Sequence, residues 1–228
     1  RDSSCRDRRD ANMQLWQAQW LLPTLSVMYD SEPRSILPEG FNDASLNTLL
    51  EPEKQPLIIR DMKLVIRDDV HSLAGYAASQ VAAAINAARR AGRPCVLGLP
   101  VGNTMLQTYA TLATMHKRGE VDFAHVVGFV LDEYCGVDVA DARSHHHYIY
   151  ANFASQVNIK RENLHVLDGG VDREAWADEC AAYEAKIAAA GGFDLVFCST
   201  GGDGHVARNE PGSSLKSRTR PKTLAHDT

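Results

Sequence analysis

No two of the five cysteines, Cys5, Cys95, Cys135, Cys180 and Cys198, stand in C-x-x-C spacing, and their number is odd. That excludes the H-x-E plus P-C-x-x-C signature of zinc nucleoside deaminases and argues against a disulfide framework, leaving reduced, mostly buried thiols as the expectation. No apolar run approaches the roughly 20 residues that span a bilayer as a helix. Positive charge is in the minority, with 24 Lys+Arg against 29 Asp+Glu and a net charge of -5. A nucleic-acid binder is therefore not expected, although a local basic cluster could still take a small anion. Internal repeats and low-complexity tracts are also missing. What remains is ordinary globular composition: 228 residues, 44% hydrophobic and 23% charged, enough for one sizeable domain or two small ones.

Residues 1–61 differ from the rest. "RDSSCRDRRD" is a mixed-charge opening, Pro23 interrupts the apolar "MQLWQAQWLLPTLSVMY", and "DSEPRSILPEGFNDASLNTLLEPEKQP" is rich in Pro, Ser and acids. No clean period runs through it, so an irregular leader is expected, disordered or a mispredicted extension. Met13 is not followed by a basic n-region, and Asp2, Asp7 and Asp10 dilute the arginines, so neither a secretory signal nor a mitochondrial presequence fits.

From Met62 the pattern becomes regular. "KLVI" (63–66) reads as a strand, and Asp68 or Asp69 can cap the helix after it. Val70, Leu73, Ala74, Ala77, Val81, Ile85 and Ala88 recur at helical spacing, with a stop near Gly92. "CVLGL" (95–99) and "HVVGFVL" (125–131) are continuous apolar runs that fit buried parallel strands. "NLHVLDG" (163–169) and "FDLVFCS" (193–199) look like two more, and helices are expected from about 103 to 116 and over 172–192. Alternation of this kind predicts an α/β fold, an open, mostly parallel sheet with helices on both faces.

Ligands of such sheets bind beyond the carboxyl ends of the strands, where three loops carry unusual residues. In "PVGNT" (100–104), Gly102 permits close backbone approach and the helix start offers free N–H groups, a cradle for phosphate. A plain turn with Thr104 as helix cap explains it equally well. In "LDEYCG", Asp132 and Glu133 end an apolar strand, where a half-buried carboxylate suits a general base; an acid capping a helix is the alternative. In "GGDGHVARNE", Asp203, His205 and Glu210 surround three glycines, a set suited to proton shuttling, against the alternative of a glycine turn with a solvent-facing histidine. Lys216, Arg218, Arg220 and Lys222 alternate with small residues, so an extended segment would put all four on one face, near Ser213 and Ser214, as an anion site or a solvated basic edge. The "SHHHY" run (144–148) is read as a helix start at the surface, without a metal, because consecutive histidines diverge on any regular element.

Taken together, "FVLDEYCG", "GGDGHVARNEPGSSL" and "SRTRPKTLAHDT" closely resemble the glucosamine-6-phosphate deaminase (isomerase) family, and "RPCVLGLPVGNT", "MHKRGEVDFAHVV" and "NLHVLDG" fit it in the same order. The resemblance runs from Met62 to Thr228. It implies a Rossmann-like fold, usually hexameric and without an organic cofactor, that turns glucosamine 6-phosphate into fructose 6-phosphate and ammonia in the cytoplasm. Asp132 would transfer the proton from C2 towards C1, and His205 would assist ring opening, flanked by Asp203 and Glu210. Gly102, Asn103 and Thr104 would hold the substrate phosphate. Ser213, Arg220, Lys222 and Thr223 match positions that bind an acetylated amino-sugar phosphate effector in regulated members. A 6-phosphogluconolactonase shares the fold and a similar D-G-H loop, but usually has Arg where Tyr134 stands and lacks the N-E-P-G-S-S-L continuation.

The chain departs from the family pattern at Val101, Met105, the stretch Ser199–Gly202, Arg208, and "SHHHYIY", which replaces a more aromatic segment. Family members continue past "AHDT", so 62–228 is expected to be a C-terminally incomplete deaminase domain, its proton-transfer groups present and its grip on the phosphate weakened.

Overall fold

The computed structural model describes residues 13–16, 26–28, 57–59, 62–214 and 216–224. Its centre is strand β5 (Cys95–Leu99), numbered in chain order and buried at all five positions. On one side β5 pairs in parallel with β6 (Val126–Val130), from Cys95↔Val126 to Leu99↔Val130. Beyond β6 lies the short β8 (Leu164–His165). On the other side β5 pairs in parallel with β9 (Leu195–Ser199), and β9 with β2 (Ser26–Met28) at the edge. The parallel order is β2-β9-β5-β6-β8.

Alternate residues of the central strands face opposite layers, as the two-residue period requires. Cys95, Leu97, Leu99, Val126 and Val130 join a core with Ala78, Val81 and Ile85 of α1 (Val70–Arg90), Tyr109 and Leu112 of α2 (Asn103–Lys117), and Ile149 of α3 (His145–Asn152). Val96 and Phe129 face the other way, into a core with Cys180, Tyr183 and Ile187 of α4 (Trp176–Ala189). Continuous apolar strands covered on both faces are the result. Asp69 caps α1 through a reciprocal pair of hydrogen bonds with Ser72, while Val70, which the spacing had placed on the apolar stripe, is exposed. Cys95, Cys135, Cys180 and Cys198 are buried and unbridged.

Three sequence expectations need correction or completion. Met62–Leu64 (β4) is a strand, but it pairs antiparallel with β3 (Leu57–Ile59) and not with the parallel sheet. The pairing Ile59↔Met62 closes a local hairpin, which costs little loop-closure entropy. The strand expected across 163–169 shrinks to two residues because the chain turns back at Gly169, whose carbonyl accepts the Gly136 N–H at 2.6 Å. Within the leader, β1 (Met13–Trp16) and β2 are strands, so the expected irregularity fails at those positions; most of that expectation lies outside the described residues. Strand β1 sits between β7 (Asp132–Tyr134) and β10 (Arg220–Thr223), antiparallel to both.

The chain runs outward from β5 to β6 to β8, then returns so that β9 lies on the opposite flank of β5. The direction of winding therefore reverses between β5 and β9, which is where such sheets open a crevice for a ligand. Among the described residues, no helix is long and apolar enough to cross a membrane.

Candidate functional site

The loop after β5 enters the crevice pinned by two tyrosines. Tyr109 of α2 donates its hydroxyl to the Pro100 carbonyl and Tyr148 of α3 donates to the Gly102 carbonyl, both at 2.6 Å. Gly102 is the residue before α2 and has φ of 127°, a region that only glycine enters cheaply. It brings no side chain to cap the helix, which answers the alternative reading: Thr104 is inside the first turn and is not the cap. The first amides of α2 thus lack an intrahelical acceptor and stand at the positive end of the helix dipole.

After β6 the two adjacent acids separate. Leu131 N–H still bonds the Leu99 carbonyl, so Asp132 is at the carboxyl edge of the sheet. Glu133 turns to α3 and closes its N-terminus: Oε1 accepts from the Tyr134 and His145 amides at 2.8 and 2.9 Å, and Oε2 from the His146 amide at 3.1 Å. The helix-capping reading of the pair thus falls to Glu133 and leaves Asp132 out of the cap. Asp132, only 3% exposed, keeps a carboxylate oxygen, Oδ2, buried and without a hydrogen bond. A lone pair in that state is open to a proton from a bound molecule.

The histidine run divides likewise. Ser144 caps α3 by accepting the His147 amide at 3.0 Å, and His147 is exposed. The surface reading is wrong for His145, which is 6% exposed and turned inward beside Asp132. Its Nδ1 is 2.8 Å from the Asp132 backbone oxygen and 3.4 Å from Oδ2. A carbonyl only accepts, so Nδ1 carries hydrogen. Burial, the largest single effect, presses the imidazolium down, but the Asp132 and Glu133 carboxylates and the Asp132 carbonyl together outweigh it, and the net pKa lies above the ordinary 6.5. Sequence reasoning missed this residue; its helical spacing of four from the core residue Ile149 was the available signal.

The loop after β9 folds on itself through the bridges Thr200↔Val206 and Val206↔Asn209. The His205 ring lies directly over Gly201, so that a Cβ there would overlap the imidazole. His205 Nδ1 is 2.6 Å from Asp203 Oδ1, off the angle of a hydrogen bond. Asp203 also accepts the His205 amide at 3.1 Å, and this bond first, then the ring, holds its carboxyl below the ordinary 3.8. Glu210 faces Lys222 at 3.8 Å. Arg208 Nε reaches Asp132 Oδ2 at 3.5 Å, which brings the glycine loop and Asp132 to the same edge of the sheet.

The basic segment does not form one face. Arg218 leaves for Glu184 of α4 at 3.3 Å, where Thr219 also donates to Glu184. Arg220 points towards Asn209 and Ser213, each at 3.5 Å, and Lys222 towards Glu210. Strand β10 begins only at Arg220, which is why the alternation of four collapses to two. Ser213, Arg220 and Lys222 thus gather beside the glycine loop, and Thr223 ends the strand.

The model of the family described as Glucosamine-6-phosphate isomerases/6-phosphogluconolactonase matches residues 68–227. A curated glucosamine-6-phosphate deaminase of Phocaeicola vulgatus is 46% identical over 169 residues, 73% of this chain and 63% of that protein. One of Parabacteroides distasonis is 47% identical, over 73% of this chain and 62% of its own length. A solved structure described as a monomeric glucosamine-6-phosphate deaminase superposes with a TM-score of 0.65 at 31% identity, covering 70% of this chain and 64% of that one. A 6-phosphogluconolactonase from Thermotoga maritima, at TM-score 0.53 and 21% identity over 69% of this chain and 74% of its own, shares the fold alone. The chain thus spans 62–63% of the length of these two curated relatives.

Proposed function

The chain belongs to the glucosamine-6-phosphate isomerase/6-phosphogluconolactonase family, and from that premise we propose that it carries the proton-transfer half of a glucosamine-6-phosphate deaminase, working in amino-sugar breakdown in the cytoplasm. One observation carries the reading: Asp132 Oδ2 is buried and without a hydrogen bond at the sheet edge that the glycine loop also reaches. Asp132 takes the proton from C2 of the opened sugar and returns it to C1 while one proton of the ammonium group passes to O1, so the aldehyde becomes an alcohol and C2 an iminium. One water adds at C2 and one ammonia leaves, giving fructose 6-phosphate. His205, whose Nδ1 lies 2.6 Å from Asp203 Oδ1, moves the proton that opens the ring. Glu210 assists from the same loop. The amides around Gly102, Asn103 and Thr104 at the start of α2 receive the phosphate. Ser213, Arg220, Lys222 and Thr223 form a second anion site for a sugar-phosphate effector, and the active form is a homo-oligomer of domains spanning 62–228, with 1–61 as an added leader.

Incubating the chain separately with glucosamine 6-phosphate and with 6-phosphogluconolactone tests this. Ammonia from the first is expected. Lactone hydrolysis without ammonia would move the chain to the other activity of the family. Silence with both would leave a sugar-phosphate-binding fragment. Light scattering on the same sample reads the oligomeric state, for which the monomeric solved relative is the counterexample to beat.

A further inference from the structure

Asp132 Oδ2 lies between two basic side chains that arrive from different elements. His145 Nδ1, from the first turn of α3, is 3.4 Å away, and Arg208 Nε, from the glycine loop, is 3.5 Å away. Neither contact makes a hydrogen bond to Oδ2. His145 is fixed by three neighbours: its ring nitrogen on the Asp132 carbonyl, its amide on Glu133 Oε1 at 2.9 Å, and its ring tilted against Tyr134 with centroids 4.6 Å apart. Both basic residues stand where the sequence departs from the pattern it resembles.

We propose that His145 and Arg208 are positioning residues that hold the Asp132 carboxylate between them, and that the charge on His145 sets how readily Asp132 accepts a proton. The kinetic half of this rests on Asp132 being the base of the proposed reaction. Because Nδ1 is committed to a carbonyl, the second proton of His145 enters and leaves at Nε2. With that proton on, Asp132 faces two positive charges and pulls weakly on a substrate hydrogen. With it off, only Arg208 remains and the pull strengthens. The groups facing His145 are Asp132, Glu133 and Tyr134 of β7, Arg208 across Asp132, and His146 on its own helix. Burial is the largest single effect there, but Asp132 and Glu133 together outweigh it, so the proton is held above the ordinary 6.5. Turnover therefore rises with pH as His145 discharges.

The test is an imidazole NMR titration of the whole chain, the His145 signal being assigned by its loss in His145→Gln. Asp132→Asn is expected to lower the His145 midpoint by about one to two pH units, and Arg208→Gln to raise it by about half a unit or more. A midpoint that neither substitution moves overturns the proposal. Arg208 is the more accessible member, so its substitution decides the matter if Asp132→Asn does not fold. The second arm follows ammonia release from glucosamine 6-phosphate against pH. The acid limb of kcat/KM is expected to move upward in Arg208→Gln and to vanish in His145→Gln. A limb indifferent to both changes overturns the kinetic half. Coupled titrations with no ammonia at any pH would instead sink the deaminase reading and support the electrostatic clamp.

Discussion

Among the described residues, two aspartate–histidine pairs follow parallel strands at their carboxyl ends, and they are built in opposite ways. Asp132 and His145 are 3.4 Å apart with side chains 4% and 7% exposed, set by strand β7 and by a helix whose Ile149 joins the core. Asp203 and His205 are closer, at 2.6 Å, but 49% and 20% exposed, on a loop held by its own turns. Water screens the second pair, so its charges act over short range and its loss disturbs little beyond the loop. The first pair is dry, so each charge there is felt by the fold as well as by a ligand. The same two residue types thus give one pair that ties chemistry to stability and one that keeps them separate.

The sharpest way to break this contrast is to neutralise each aspartate. Asp132→Asn is expected to lower ammonia production by about 10²–10⁴-fold, as for loss of a general base. Urea unfolding of the same variant should show a loss of about 3 kcal/mol, because Arg208 and His145 lose a buried counter-charge. Asp203→Asn is expected to shift the urea midpoint far less than Asp132→Asn while ammonia production falls; a matching drop in both would erase the distinction. Gly201→Ala comes next. Its Cβ would strike the His205 ring, so a stability loss of about 1–3 kcal/mol is expected, with a larger fall in turnover because His205 must move aside.

The pH response separates the pairs again. His145 has its folded pKa raised above 6.5 by Asp132, against burial, so its contribution to stability is complete below 6.5 and is lost as pH rises through the folded value. Asp203 has its folded pKa lowered below 3.8 by the His205 amide, so its contribution is present above 3.8 and is lost as pH falls through the folded value. Unfolding free energies of the wild type minus those of His145→Gln should therefore decline above pH 6.5; a flat difference would sink the assignment. The smallest effect is local. Ala207 has φ of 53° in the glycine loop, and Ala207→Gly is expected to raise stability by about 0.5 kcal/mol in urea, relief of strain outweighing the added chain entropy.

Much of the frame was legible before any coordinates. The run 95–99 is a strand at the residues expected, and the helix over 70–90 takes Asp69, one of the two acids expected there, as its cap. Buried parallel strands and capped helices declare themselves by local composition. The leader strands and the hairpin at 57–64 did not, because strands of three or four residues owe their existence to whatever edge they meet. In the site, Asp132 and the glycine loop were readable from residue type. The division of work between Asp132 and Glu133 was not, since which acid reaches the amides of α3 depends on the strand's facing, one residue in either direction. His145 hid inside a run of three identical letters for the same reason. Arg208 was noticed as a misfit, but only folding shows that it ends beside Asp132.

Strand β1 ties two ribbons together. It zips to Asp132–Tyr134 along one border and to Arg220–Thr223 along the other, with Trp16 opposite both Asp132 and Arg220. A version trimmed to begin at Met62 would unzip two ribbons in one cut. Asp132 would then stand on a strand whose amides and carbonyls had lost their mates, and the basic ribbon would drift from it.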